Sequence, residues 1–294
     1  MRSASLRQLA AALGLNRKTL RCRRISGASL AHTYRISDDQ RHCFVKCLGS
    51  GEADRLDAER QGLTLLAQAQ AFATPRVLAH GQVDDWAWLA LDWVDLEPLS
   101  APASAQLGVQ LVKLHETRAT RFGLDTDNFI GPTQQINRQE SDWTTFFFQH
   151  RIGVQLGLLE RKQAEGDWLT PLDRLQRLWT ERFEDYQPRP SLLHGDLWSG
   201  NAGMTASGLP ILFDPAVHYG DRECDLAMAA LFGGFSTSFF DAYTEVWPLP
   251  SGWRLRRRYY QLYHLLNHAN VFGGHYLQAS RTLISRLLSL RSCS

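Results

Sequence analysis

Apolar and polar residues alternate with a period of two through the first third of the chain. The segment CRRISGASLAHTYRISDDQRHCFVKCLG, residues 22–49, predicts three antiparallel strands. A glycine-containing turn at Ser26 to Ser29 joins the first two, and a tight polar turn at Asp38 and Asp39 joins the next. The period then lengthens to that of a helix over EADRLDAERQGLTLLAQAQ, with apolar positions at Leu56, Leu63 and Leu66. Alternation returns in PRVLAHGQVDDWAWLALDWV, which reads as a second hairpin turning at Asp84 and Asp85. Ahead of all these, Leu6, Leu9, Ala10 and Leu13 repeat at helical spacing.

From Ala101 onward the pattern is helical. SAQLGVQLVKLHETRA, DWTTFFFQHRIGVQLGLLERKQAEG and LTPLDRLQRLWTERFEDY each carry an apolar stripe at spacings of three and four. One interruption is expected, LLHGDLWSGNAGMTASGLPILFDPAV, in which two short apolar strands flank Ala206-Ser207-Gly208. Helices resume with DLAMAALFGG and WRLRRRYYQLYHLLNHANVF. The expectation is an α+β, two-lobed chain. Residues 1–95 form a small lobe with a five-stranded antiparallel sheet and a helix. A connector lies near Trp93 to Glu97, and residues 96–294 form a large helical lobe holding one inserted hairpin.

Composition narrows the function classes. With 294 residues, 44% hydrophobic and 21% charged, the chain is that of an ordinary globular protein. A formal charge of +2, with basic residues spread along the sequence, gives no reason to expect a nucleic-acid partner. The one basic cluster, Arg254 to Tyr260, reads as the solvated face of a helix. Five cysteines form no zinc-ligand spacing. Cys43 and Cys47, on one face of a strand, would stand about 13 Å apart at ~3.3 Å per residue, too far for a disulfide. Reduced thiols, an amphipathic rather than signal-like N-terminus and no apolar run of spanning length predict a cytoplasmic protein without a membrane partner, and we expect a monomer.

The candidate chemistry sits in the interruption. In SLLHGDLWSGN, Asp196 is followed after four residues by Asn201, and after twelve more by Asp214 at the end of the apolar run ILFDPA. Phosphoryl transfer from a nucleotide needs a cation on the phosphates, oxygen ligands for Mg²⁺ and a carboxylate that orients the attacking hydroxyl. Asp196 suits the last role, and Asn201 with Asp214 the metal. Alone, the Asp and Asn could belong to an ordinary loop; the hairpin and Asp214 that follow give the order used by kinase-type catalytic loops. In the predicted third strand, Phe44 and Lys46 share a face, so Phe44 could roof an adenine while Lys46 reaches the phosphates. Glu59 on the following helix is a natural partner for Lys46. The turn bearing Gly27 and Ser29 could approach phosphates through backbone N–H groups. The stretch Asp92 to Val94 would present its backbone to the adenine edge, and Trp198 could stack on a sugar ring. Asp225 reads as the N-cap of a helix beginning at Leu226, and Arg222 and Glu223 as a pair fixing the loop before it. His264, His268 and His275 read as core and polar packing rather than a metal site.

These segments, with DPAVHYGDRECDLAM, LFGGF, DNFIGPTQQIN, DWTTFFFQHR and LLNHANVFGGHY, closely resemble the fructosamine kinase family, also called ketosamine or ribulosamine 3-kinases. The likeness runs from about Ile25 to Tyr276; aminoglycoside phosphotransferases and choline kinases share only the HGD-x4-N and later-Asp skeleton. The resemblance implies a protein-kinase-like fold and ATP-dependent phosphorylation of the sugar 3-hydroxyl in ketoamine adducts on protein lysines or free amines, followed by loss of the sugar. It implies Asp196 as catalytic base, Asn201 and Asp214 on Mg²⁺, Lys46 with Glu59 on ATP, and Trp198 in the substrate pocket. The loop SGASLAHTY is shorter and less glycine-rich than many family phosphate loops and lacks the loop cysteine some members carry; Asp92 stands where Glu is common. Three other readings compete: a kinase of the same fold for an aminoglycoside- or choline-like hydroxyl, a catalytically silent scaffold, and a metal hydrolase built on His194 and Asp196. The last lacks a second His/Asp cluster.

Overall fold

A computed structural model describes residues 3–25, 31–162 and 167–290. Helix α1 (Ser3–Ala12) precedes strands β1 (Arg21–Ile25), β2 (His32–Ser37) and β3 (His42–Gly49). Helix α2 (Ala53–Ala69) and the hairpin β4 (Val77–Val83) and β5 (Trp86–Asp92) complete one antiparallel sheet of order β1-β2-β3-β5-β4. Strand β3 shows how the period of two builds this layer. Cys43, Val45 and Cys47 point to one face and are buried with Leu9 and Ala10 of α1 and with Leu13 just after it. Phe44 and Leu48 point to the other, against Leu56 and Leu63 of α2. Burial of each such leucine contributes roughly 1.5–3 kcal/mol. Lys46 lies on the α2 face, so the strand carries one cation into an otherwise apolar layer.

Both predicted polar turns are present. Asp38 accepts backbone hydrogen bonds from Asn16, Gln40 and Arg41 at 2.8, 2.9 and 2.7 Å. These three N–H donors hold its carboxyl down at about 2. Asp84 takes φ +51° in the two-residue turn of the second hairpin. The Gly27 and Ser29 turn lies outside the described residues.

The remainder is mainly helical. Helix α3 (Ala101–Glu116) starts three residues earlier than the apolar stripe suggests, because Ser100 caps it by accepting from Ala103 N. A short hairpin, β6 (Asn128–Ile130) and β7 (Thr133–Gln135), follows. The expectation of a single interruption is therefore corrected: three-residue strands are too short to show alternation, although Gly131-Pro132 marks their turn. Helix α4 (Trp143–Phe147) runs through a π-helical turn (Phe148–Ile152) into α5 (Gly153–Arg161), and α6 (Pro171–Arg182) packs beside it. Then come β8 (Ser191–Leu193), the pair β9 (Ala202–Met204) and β10 (Pro210–Leu212), and β11 (His218–Gly220), which pairs antiparallel with β8. Helices α7 (Glu223–Ala229), α8 (Thr237–Val246), α9 (Trp253–Phe272) and α10 (His275–Ser289) close the chain.

Helix α9 is the axis of this part. Tyr259, Tyr260, Leu262 and Leu266 are buried among Trp143, Phe147 and Trp179. The basic cluster on α9 is not wholly solvated: Arg256 is buried, and its guanidinium grips Glu223 through Nε and Nη2 at 2.8 and 2.7 Å. Glu223 is thus engaged with α9 and not with Arg222, whose side chain donates instead to the Tyr243 hydroxyl and the carbonyls of Trp247 and Pro248. Asp225 is likewise not a cap. It is the third residue of α7, and its carboxylate turns inward. The histidines of α9 pack as expected, with His264 buried and His268 against Phe232 and Tyr276. No helix among the described residues is long and apolar enough to cross a membrane.

Candidate active site

The loop after β8 is held by its neighbours rather than by its own sequence. Asp225 of α7 accepts from the backbone N–H groups of His194 and Gly195 at 2.7 and 2.9 Å. Burial would raise the Asp225 carboxyl, but His115, then the nearby His194 and the Gly195 N–H, hold it below its ordinary value. Gly195 has φ +84°, and a Cβ there would come within 2.0 Å of the Ala216 carbonyl oxygen. Only glycine fits beside that carbonyl. His194 is fully buried and bonds the Phe213 carbonyl through Nε2 at 3.0 Å. Burial lowers its pKa, so the ring is a neutral brace between the loop and the strand end.

This bracing sets Asp196 beside Asn201 and Asp214. The Asn201 amide donates to the Asp196 carbonyl at 3.0 Å, to the Asp196 carboxylate at 3.1 Å and to the Asp214 carbonyl at 3.4 Å. Asp214 follows β10 with φ +55° and a carboxylate that is 37% exposed. From the sheet, Lys46 Nζ bonds Glu59 Oε1 at 2.8 Å and also meets Asp214 Oδ1. Burial would depress the Lys46 amine, but the two carboxylates outweigh it and hold it above the ordinary lysine value. Burial also pushes Glu59 up to about 7, partly offset by Lys46, and the nearby Asp214 adds to the rise. Burial, with Asp214 beside it, pushes Asp196 up to about 7.

Lys46, Glu59, Asp196, Trp198, Asn201 and Asp214 line one cavity of about 230 Å³. Six of the eleven predicted site residues are therefore brought together, across an interval of 168 residues between Lys46 and Asp214. The Trp198 ring lies over Gly200, where a Cβ would come within 2.1 Å of it. Phe44, Asp92 and Val94 are not on this cavity. Phe44 packs against the α2 face of the sheet, one residue pair from the end of β5. The Asp92 side chain turns outward to Arg76 at 2.6 Å, and Val94 is in the connector. Gly27 and Ser29 lie outside the described residues.

Several residues here were not anticipated. Asn128 and Gln135 of the β6–β7 hairpin donate to the carbonyls of Val217 and Ala216 at 2.7 and 3.1 Å, fixing the segment before β11 that abuts Gly195. Phe129, Pro132, Asn267 and His268 form the opposite wall of the cavity. Their signal was present in DNFIGPTQQIN and LLNHANVF, but neither segment carries a charged pair that would single it out.

The donor set fits a hard divalent cation. Asn201 spends its NH₂ group on Asp196 and Asp214, and among the described residues its Oδ1 accepts no hydrogen bond. That oxygen and the half-exposed Asp214 carboxylate are the ligand types Mg²⁺ takes, with phosphate oxygens and water completing its shell. No cluster of three or more His, Cys, Asp or Glu suited to a metal occurs among the described residues.

Comparison with known proteins extends these observations. The sequence model of the fructosamine kinase family matches residues 1–290. A probable ketoamine kinase of Vibrio parahaemolyticus is 40% identical over 268 residues, covering 90% of this chain and 92% of the relative. Among solved structures, a candidate fructosamine-3-kinase from Haemophilus somnus superposes with TM-score 0.86 at 28% identity, over 97% of this chain and 96% of the other. A ternary complex of the aminoglycoside phosphotransferase APH(4)-Ia with AMP-PNP and hygromycin B superposes with TM-score 0.66 at 15% identity, over 97% and 98%. That second likeness is one of fold, and the fold is protein-kinase-like.

Proposed function

This chain belongs to the fructosamine kinase family and is a phosphotransferase acting on a ketoamine hydroxyl, and from that premise we propose that it transfers the γ-phosphoryl group of ATP to the sugar 3-hydroxyl of ribulosamine or fructosamine adducts. The adducts are carried by free amines or protein lysines, and the 3-phosphate destabilises them so that the amine is released. The observation that carries this reading is the convergence of Lys46, Asp196, Asn201 and Asp214 on one cavity.

In this mechanism Asp196 accepts a hydrogen bond from the sugar hydroxyl, orients it in line with the phosphorus and takes its proton as the new P–O bond forms. Lys46 leaves its contact with Asp214 for the nucleotide phosphates, while Glu59 keeps the amine aimed. Asp214 and Asn201 would hold Mg²⁺, which when bound supplies positive charge for the phosphate oxygens. Trp198, fixed over Gly200, offers its indole face to the sugar. The adenine would lie toward Phe44 and the backbone of Asp92 to Val94, with the Gly27 and Ser29 turn over the phosphates. Residues 1–95 then act as the nucleotide lobe and 96–294 as the catalytic and substrate lobe, in a cytoplasmic monomer.

The test is an acceptor panel of ribulosamine, fructosamine, erythrulosamine and aminoglycosides with ATP and Mg²⁺, read by phosphorus NMR and by free-amine release. Ketoamine 3-phosphates followed by free amine are expected. Turnover of aminoglycosides alone would sink the proposal.

A further inference from the structure

A second cavity, of about 530 Å³, opens on the far side of β8 and shares no lining residue with the catalytic one. Its size lies in the range of small-molecule sites. Three guanidiniums line it, from Arg118, Arg189 and Arg222, and among the described residues none has a carboxylate within ion-pair distance. Arg222 is 92% buried, since its relative exposure is 8%, and it is satisfied by neutral oxygens alone. Burying an uncompensated charge is costly. Moreover, the guanidinium carbons of Arg222 and Arg118 lie 4.1 and 5.6 Å from the centroid of the same Trp247 ring. Two like charges are thus held on one indole, and neither forms an ion pair with a carboxylate among the described residues. The two carboxylates in the cavity do not relieve this. Asp221 is occupied by the hydroxyls of Tyr186 and Tyr260 and by the Glu223 N–H, and Glu116 stands exposed at the rim.

We propose that this rear cavity is a regulatory site for a small oxyanion, a phosphate or carboxylate, bound between Arg222 and the rim arginines Arg118 and Arg189. Guanidinium forks match such oxygens in pairs. The site also has a physical path to the chemistry. Arg222 donates to the Tyr243 hydroxyl at 2.9 Å, which meets His115 Nδ1 at 2.9 Å; His115 Nε2 meets Asp225 at 3.2 Å. Asp225 in turn holds the His194 and Gly195 N–H groups that position Asp196. Ser191, on the cavity wall, opens the strand that leads into the same loop. An anion that draws Arg222 toward the cavity changes the hydroxyl on which this chain of hydrogen bonds depends.

The test titrates inorganic phosphate and, separately, benzoate into the full-length protein, following tryptophan fluorescence and hydrogen exchange of the segment 191–201. The comparison variant is Arg118→Glu/Arg189→Glu, whose two positions are exposed and outside the catalytic machinery. Expected are saturable quenching by at least one anion that saturating Mg-ATP does not displace, at least tenfold weaker binding in the variant, and at least a twofold change in exchange of 191–201 on binding. The anion that binds tells phosphate from carboxylate. Absence of saturable quenching, displacement by Mg-ATP, equal affinity in the variant, or unchanged exchange in 191–201 would each overturn the proposal. No acceptor sugar is needed, so the outcome is independent of the ketoamine assignment.

Discussion

At the scale of single residues, Gly195 bears the tightest steric demand in the loop that follows β8. Its positive φ and the 2.0 Å approach that a Cβ would make to the Ala216 carbonyl leave nothing flexible to give way. Gly195→Ala should therefore destabilise the fold by about 3 kcal/mol or more, combining backbone strain with displacement of the Ala216 backbone. Urea unfolding of the variant checks this, and a loss under 1 kcal/mol would show that the loop can shift. The glycine in His-Gly-Asp is readable in the sequence as an oddity, but its cause is not. The obstructing carbonyl comes from 21 residues downstream, and only the pairing of β8 with β11 brings it close. Asp225 illustrates the same limit. Beside a run of helix formers it reads as a cap, whereas its true partners are backbone N–H groups 30 and 31 residues earlier.

At the scale of elements, the buried pair between Glu223 of α7 and Arg256 of α9 ties the catalytic loop's support to the central helix. Arg256→Met would leave Glu223 buried without its partner, at a cost of about 3–5 kcal/mol. Adding Glu223→Gln should recover part of that loss, a coupling that a double-mutant cycle measures directly. Additive losses would mean that the two side chains stabilise their helices independently. Elements with long periodicity were legible: the sheet strands, α2 and α9 all lie where alternation and helical stripes place them. The β6–β7 hairpin was not, since three residues cannot establish a period. The expected solvation of Arg256 and the expected pairing of Arg222 with Glu223 fail because the partners of a charged residue come from distant segments.

At the scale of the whole molecule, burial shifts many titratable groups, and the signs oppose one another. His264 is pushed down to about 3 by burial, with the neighbouring His268 adding to the shift, and His194 and His218 are lowered too. The folded chain therefore binds fewer protons at these sites than the unfolded one, and their contribution is lost as pH falls below 6.5 toward 3. Glu59, Asp196 and Glu223, each raised to about 7 with burial as the leading cause, act the other way. A bare stability profile would mix the two. The difference in unfolding free energy between wild type and His264→Asn isolates one group. It should shift against the wild type by up to ~1.4 kcal/mol per pH unit below 6.5. A difference independent of pH would show that His264 takes up a proton in the folded state.

The six predicted residues that line the cavity were legible because Asp196, Asn201 and Asp214 share a short local spacing and Lys46 with Glu59 follows the strand and helix patterns, whereas Phe44, Asp92 and Val94 lie off it. The claim that these groups form one phosphoryl-transfer centre is tested most directly by calorimetric titration of Mg-ATP, paired with single-turnover transfer to a ketoamine, in wild type, Asp196→Asn and Asp214→Ala. Asp196→Asn should bind Mg-ATP nearly as wild type does but transfer phosphate ~10²–10⁴-fold more slowly, whereas Asp214→Ala should lose Mg-dependent binding and transfer together. Transfer near the wild-type rate in both variants would contradict this claim.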